Sequence, residues 1–144
     1  MDAYIPKEYA NDRDKIELYQ DIMACSSSES LLEIKNKVRD IYGKLPNEVE
    51  LLFVKRNIQL LISELETSEL KEFPRIVEIT LGNNFINIKG IGNMLFESMI
   101  PYLSIIKISY VNHRFKIVVT KKEKWIYDIL NILKALKGIL DSNV

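Results

Sequence analysis

The chain has 144 residues, 47% hydrophobic and 28% charged, which is ordinary for a globular protein that buries roughly 70% of its unfolded surface in one domain. Its 20 basic and 20 acidic side chains cancel, which argues against a strongly basic nucleic-acid-binding protein. The charge is uneven, however, because residues 1–72 hold 15 acidic and 10 basic side chains, whereas residues 73–144 hold 5 acidic and 10 basic.

Three features of the sequence bear on the compartment in which the protein works. No apolar run approaches the ~20 residues that a membrane-spanning helix needs. The N-terminal residues 1–7 lack the apolar segment of a secretory signal peptide. Cys25 is the single cysteine, so no internal disulfide can form. A reducing, cytoplasmic location without membrane contact is therefore predicted.

The first third of the chain predicts two helices after an irregular start. The first helix runs from Asp14 to about Cys25. The second begins near Ser30, which forms a capping box with Glu33, and ends at Gly43, a residue suited to a helix C-cap. The side chains expected to be buried are Tyr4, Ile5 and Tyr9 in an N-terminal arm, Ile16, Tyr19, Ile22 and Met23 in the first helix, and Leu31, Ile34, Val38, Ile41 and Tyr42 in the second.

The stretch from Leu45 to Leu65 predicts a third and more apolar helix. Asn47 is the expected N-cap, with Glu50 as the reciprocal half of a capping box. The apolar residues at helical spacing are Leu51, Val54, Ile58, Leu61, Ile62 and Leu65, and Leu52, Phe53 and Leu60 widen the surface. A helix this apolar is expected to touch partners on more than one side. The polar side chains that it could offer to a partner are Glu48, Lys55, Arg56 and Gln59.

From Arg75 the hydrophobic period changes from about 3.6 to 2, which indicates strands. The predicted elements are a strand over 75–81, a hairpin turn at 82–84, a return strand over 85–89, a short helix ending near Pro101, strands over 104–111 and 114–120 around a turn at 112–113, and a helix over 124–140. This order predicts an α+β fold in which N-terminal helices pack on a four-stranded, mainly antiparallel sheet with the order hairpin, helix, hairpin, helix. We expect a single domain over 1–144, with a helical half over 1–68 and a ββαββα half over 73–144.

No catalytic, cofactor-binding or metal-binding residue is predicted. Gly90 and Gly92 follow a predicted strand, but Leu95 stands where a dinucleotide-binding loop needs its third glycine. His113, the single histidine, lies in a predicted turn, and Cys25 is far from it in sequence. No zinc-ligand spacing or catalytic triad results.

The densest basic group lies between residues 114 and 124. It consists of Arg114, Lys116, Lys121, Lys122 and Lys124, with Phe115 and Trp125 nearby. These residues leave open an alternative function as a free-standing nucleic-acid-binding module. Lysines on strands and at helix starts are also common as edge protection, so the signal for nucleic acid is weak.

Two stretches carry a resemblance to a known family. The first is Asp2-Ala3-Tyr4-Ile5-Pro6, followed by Tyr9 and by Lys15-Ile16-Glu17-Leu18-Tyr19. The second is Asp40-Ile41-Tyr42-Gly43-Lys44-Leu45-Pro46-Asn47-Glu48-Val49. Together they cover about the first third of the chain, which resembles the C-terminal domain of the bacterial transcription-repair coupling factor. The stretch from Ser63 to Phe73 departs from the family, because it lacks the Lys- and Gly-containing end of this helix.

This resemblance implies a fragment of a larger, multidomain protein. The full-length family member is an ATP-driven, helicase-type translocase on double-stranded DNA, which removes stalled RNA polymerase and recruits UvrA for nucleotide excision repair. Its motor motifs lie in other domains. The C-terminal domain is regulatory and non-catalytic, and it packs on and masks the UvrA-binding domain in the resting state.

The implied direct partner is therefore the UvrA-binding domain of the same protein. UvrA, RNA polymerase and double-stranded DNA are indirect partners, and the isolated piece is expected to be a monomer without a cofactor. Helix geometry makes Glu48, Glu50, Arg56 and Gln59 the candidate partner-binding residues. A masking contact that must be released should be moderate in area and partly polar, which these side chains could supply.

Overall fold

A computed structural model describes residues 5–6, 12–66 and 68–143, with Asp12 described by its backbone alone. The chain divides into two compact units, Met1–Leu60 and Leu61–Val144. The described elements are six α-helices, a 3₁₀ turn and four strands, which confirms the α+β class. Among the described residues, no helix is both long enough and apolar enough to cross a membrane. The organisation of the whole chain as a single domain stays a prediction.

The first unit contains helices α1 (Asp12–Ala24) and α2 (Ser28–Tyr42) and most of α3 (Asn47–Glu64). Helix α2 starts earlier than predicted, because Ser27 is its N-cap and Ser30 is the reciprocal residue of the capping box. The Ser27 hydroxyl accepts from the Ser30 N–H at 3.1 Å, and the Ser30 hydroxyl accepts from the Ser27 N–H at 3.3 Å. The predicted pairing of Ser30 with Glu33 is therefore wrong. Gly43, with φ +82°, is the C-cap as predicted.

Helix α3 begins differently from its prediction. Asn47 is the first helical residue and not the N-cap. The Pro46 carbonyl instead accepts from the N–H groups of Val49 (3.1 Å) and Glu50 (2.9 Å). The predicted width of the apolar surface is confirmed, because buried side chains lie on more than one side of α3: Val49, Leu51, Phe53, Val54, Leu60 and Leu61.

The core of the first unit corrects the predicted face of α1. Ile16 and Met23 are each 60% exposed, whereas Leu18, Ile22 and Cys25 are buried. Both sets recur at helical spacing, so periodicity alone could not choose between them. The buried cluster comprises Ile5, Leu18, Ile22, Cys25, Leu31, Val38, Leu45, Val49, Phe53 and Leu60. Ile41 of α2, also predicted to be buried, is 62% exposed. Tyr4 and Tyr9 of the predicted arm lie outside the described residues.

The second unit is built on a four-stranded sheet. Its elements are β1 (Glu69–Glu72), β2 (Ile76–Thr80), α4 (Asn83–Ile86), α5 (Ile91–Met99), a 3₁₀ turn (Ile100–Tyr102), β3 (Ile106–Val111), β4 (Arg114–Thr120) and α6 (Trp125–Ser142). The strand order is β1-β2-β4-β3, and all three pairings are antiparallel. The predicted antiparallel sheet is therefore confirmed.

The first hairpin of this sheet is formed by other residues than the sequence predicts. The predicted return strand over 85–89 does not form, because Asn83–Ile86 is helix α4 and Phe85 is fully buried. The partner of β2 is β1, and the two strands are joined through Pro74 and Arg75, with the Phe73 N–H donating to the Ile76 carbonyl at 2.9 Å. The order of hairpin, helix, hairpin and helix is nevertheless retained.

Alternation along the central strands separates the two faces of the sheet. Val77 and Ile79 of β2 and Ile117 and Val119 of β4 are at most 1% exposed. Next to them in sequence, Glu78, Lys116 and Val118 are only partly buried. One face therefore belongs to the core, and the other, which we call the outer face, carries polar and charged side chains, as is common for antiparallel sheets.

Candidate interaction surface

Arg56 binds the C-terminal end of α1. Its guanidinium donates to the backbone carbonyls of Ile22 at 3.3 Å, Met23 at 3.1 Å and Cys25 at 2.9 Å, and to the Gln59 side-chain oxygen at 3.0 Å. The last carbonyls of a helix have no partner within the helix, and a planar guanidinium can serve several of them at once. Arg56 therefore links α3 to α1 within the first unit.

Glu50 has a corresponding role toward α2. Its carboxylate lies 3.7 Å from the Lys35 ammonium, and the two side chains are 38% and 23% exposed. A pair this accessible to water contributes about 0–1 kcal/mol to stability. Glu50 is thus already engaged with a neighbouring helix, as Arg56 is.

The four candidate residues do not lie on one surface. At about 100° per residue, Glu50 and Gln59 point to opposite sides of α3, whereas Glu48 and Gln59 point within about 20° of each other. Lys55 lies on the same side as Glu48 and Gln59, and both Lys55 and Gln59 are exposed. We call Glu48, Lys55 and Gln59 the polar face of α3. The partner-binding role of Glu48, Glu50, Arg56 and Gln59 remains a prediction.

The basic group over 114–124 is partly neutralised. Lys121 pairs with Glu72 at 2.7 Å and lies 4.3 Å above the centre of the Trp125 ring. Lys116 pairs with Glu78 at 3.6 Å. Both carboxylates come from the neighbouring strands β1 and β2, whose proximity the sequence did not reveal. These contacts count against the group as a phosphate-binding surface.

Gly90 and His113, which the sequence analysis considered for a nucleotide or metal site, lie in turns. Gly90, with φ +75°, precedes α5, and His113, with φ +63°, lies in the β3–β4 turn. Among the described residues, no group of three or more metal-ligating side chains comes together.

A cleft of about 210 Å³ in the second unit is lined by Glu64, Glu66, Asn84, Ile88, Lys137, Leu140, Asp141 and Asn143. It combines carboxylates with a lysine, and Lys137 pairs with Asp141 at 3.1 Å.

Comparison with known proteins places this architecture in a family. The TRCF domain family model matches residues 1–90, which is more than half of the chain. The chain belongs to the TRCF domain family. The TRCF domain is the small C-terminal part of the transcription-repair coupling factor and lies outside its ATPase motor region. The family expected from residues 2–19 and 40–49 is therefore confirmed.

The curated relatives are much longer than this TRCF domain. The chain is 26% identical over 139 residues to the transcription-repair-coupling factor of Staphylococcus haemolyticus (strain JCSC1435), covering 96% of the chain and 12% of that protein. It is 27% identical over 139 residues to the factor of Staphylococcus aureus (strain USA300), covering 95% and 12%. The chain thus spans about one-eighth of the length of the curated relatives that it matches.

A solved structure supports the same fold over the whole chain. The crystal structure of the C-terminal domain of a transcription-repair coupling factor superposes with a TM-score of 0.71, covering 100% of this chain and 92% of that one. The two sequences are 18% identical, so the likeness concerns the fold. It extends beyond residues 1–90 and includes the α+β architecture of the second unit.

Proposed function

We propose that this TRCF domain is the non-catalytic, autoinhibitory part of a transcription-repair coupling factor. It packs on the UvrA-binding domain of the same protein and masks it until RNA polymerase is engaged. The observation that carries this proposal is the match of 96% of the chain to 12% of a transcription-repair-coupling factor. UvrA, RNA polymerase and double-stranded DNA are partners of the larger protein, and a cytoplasmic location belongs to the same proposal.

The polar face of α3 is suited to a contact that has to be released. Glu48, Lys55 and Gln59 together offer a carboxylate, an ammonium and an amide. Lys55 forms no ion pair with any residue that the structure describes. A mixed polar surface can bind a complementary one without burying a large apolar area. A coupling of about 1–3 kcal/mol between the sites is sufficient to regulate such a contact.

Lys55→Glu in the full-length factor tests this surface. We expect UvrA to bind the variant more tightly than the unaltered protein in the absence of RNA polymerase, because reversing the charge weakens the masking contact. The matched control is Lys37→Glu, an exposed lysine on α2 that makes the same change of charge. Equal affinities of the two variants for UvrA would show that the polar face of α3 is not the masking surface.

Arg56 is a poor probe of the same contact, although it is among the predicted partner-binding residues. Its substitution also removes the bonds to the carbonyls at the end of α1. A loss of regulation in an Arg56 variant could therefore come from a damaged helical unit. Lys55 is the adjacent exposed residue and avoids this ambiguity.

A further inference from the structure

Strand β3 has a free edge with a defined set of backbone groups. It pairs with β4 and forms the end of the described sheet. The Thr120 N–H donates to the Ile105 carbonyl at 2.8 Å, which fixes the phase of the antiparallel hydrogen bonds. Because bonded and non-bonded pairs alternate, Ile106, Ile108 and Tyr110 direct their N–H and C=O groups away from the sheet. These groups could pair with another extended chain.

The opposite edge of the sheet is built differently. Strand β1 has four residues, Glu69-Leu70-Lys71-Glu72, and Pro74 follows it closely. Three charges and a proline protect a short edge against pairing. Strand β3 has six residues with one charge, Lys107, and ends in Tyr110 and Val111, which are 53% and 48% exposed. Of the two edges, β3 is therefore the one open to an added strand.

Charge determines which kind of segment fits the β3 edge. Lys107 and Arg114 project from the outer face of the β3–β4 hairpin, and neither forms an ion pair with a described residue. Lys116, on the same face, is paired with Glu78. Carboxylates are the natural partners of the two remaining cations, because charge-assisted hydrogen bonds to them are strong.

We propose that β3 is a docking edge for an extended, acidic peptide segment of a partner protein, which adds a fifth strand to the sheet. In this mode, backbone hydrogen bonds provide affinity and alternate side chains provide specificity. Acidic residues of the segment face Lys107 and Arg114, and apolar residues between them lie beside Ile108 and Tyr110. The inference is independent of the autoinhibitory role, because it involves neither α3 nor the UvrA-binding domain.

Nucleic acid fits this edge less well than an acidic peptide. Tyr110 and Phe115 are directly opposite each other, with ring centres 5.0 Å apart, so both lie on the same face of the hairpin. Lys107 and Lys116 lie on the other face, because successive side chains alternate. A single strand bound there could not stack its bases on these rings while its phosphates contact these lysines.

An NMR titration of the isotope-labelled 144-residue chain tests the proposal. Two synthetic hexapeptides are compared, one of alternating Glu and Val and one of alternating Lys and Val. The Glu/Val peptide should shift the amide resonances of Ile106, Ile108 and Tyr110 and slow their exchange with solvent. The Lys/Val peptide should bind about tenfold more weakly. Equal binding of both peptides, or no change at these three amides, would overturn the proposal.

Two matched charge reversals sharpen the experiment. Lys107→Glu should reverse the preference between the peptides, because it places a carboxylate at the centre of the β3 edge. Lys71→Glu makes the same change on the β1 edge and should leave the preference unaltered. A ten-residue oligothymidine is the third probe. If it shifts the β3 amides at lower concentration than the Glu/Val peptide does, the surface is one for nucleic acid and the proposal fails.

Discussion

The guanidinium of Arg56 holds the end of one helix against the side of another. Its bonds to the Met23 and Cys25 carbonyls supply donors that α1 does not provide, and its bond to the Ile22 carbonyl adds to one from the Cys25 N–H at 3.4 Å. Hydrogen bonds involving a charged group each contribute about 1.5–3 kcal/mol, and shared or partly exposed bonds contribute less. Arg56 is therefore expected to matter for the stability of the first unit, independently of any partner.

Arg56→Leu should lower the free energy of unfolding by about 2–3 kcal/mol, because it removes the donor to the Met23 and Cys25 carbonyls and leaves the Ile22 carbonyl with the Cys25 N–H alone. Arg56→Lys should recover part of the loss, since an ammonium cannot reach all three carbonyls in the planar arrangement of a guanidinium. Urea denaturation followed by circular dichroism measures both variants. Lys55→Leu is the control, with an expected change within about 0.5 kcal/mol. Similar stabilities of the Arg56→Leu and Lys55→Leu variants would contradict this role.

Ile5 anchors the start of the chain. Its side chain is 1% exposed within the core of the first unit, and its N–H donates to the Tyr19 hydroxyl at 2.9 Å. Ile5→Ala should lower the free energy of unfolding by about 2–4 kcal/mol, because it opens a cavity among well-packed side chains. Tyr19→Phe should cost about 1 kcal/mol, since it removes one hydrogen bond. Urea denaturation distinguishes the two, and an Ile5→Ala variant as stable as the original chain would show that Ile5 is not an anchor.

At the scale of elements, the β3–β4 turn combines two residues in an unusual conformation. Asn112 and His113 have φ values of +54° and +63°, the pattern of a two-residue hairpin turn of type I′. Asparagine tolerates the left-handed backbone conformation, but histidine is strained in it by roughly 1–2 kcal/mol. The sequence predicted this turn correctly from the residues that separate two alternating runs.

His113→Gly should therefore raise the free energy of unfolding by about 0.5–1 kcal/mol. Glycine relieves the strain, although part of the gain is offset by its greater freedom in the unfolded chain. Thermal unfolding of this variant beside His113→Ala checks the prediction. The alanine variant keeps the strained Cβ and loses the ring contact with Tyr110, so it should not be stabilised. Equal midpoints for the two variants would rule out backbone strain as the cause.

Helices and strands along which apolar side chains recur regularly can be predicted from the sequence, whereas short elements cannot. Strand β4 and helix α6 were found because buried side chains recur along them. Strand β1 was missed, since an edge strand of three charged residues has no apolar alternation. Helix α4 was mistaken for a strand, because four residues around Phe85 are too few to show a period.

The candidate site shows the same limit of sequence reasoning. The sequence makes Glu50 and Arg56 candidates because they are polar residues on an apolar helix. Their bonds to Lys35 and to the end of α1 depend on how three helices pack, which no local pattern in the sequence encodes. The pairing of Lys121 with Glu72 was hidden for the same reason, because the strand that carries Glu72 was not recognised.

At the scale of the whole molecule, the length of the chain and its family are the two facts that the comparisons establish. The chain covers 12% of its curated relatives, and its family is that of the TRCF domain. The polar face of α3 and the β3 edge belong to different units of the chain. The proposed masking contact and the proposed docking edge can therefore be altered separately, so that the failure of one proposal leaves the other standing.

In the proposed function, this domain covers the UvrA-binding surface of its own protein. The most direct test compares the affinity for UvrA of the full-length factor with that of the same factor lacking the TRCF domain, without RNA polymerase. Deletion should tighten UvrA binding by about 5- to 150-fold, the range expected for a coupling of 1–3 kcal/mol. Unchanged affinity after deletion would contradict the proposed function.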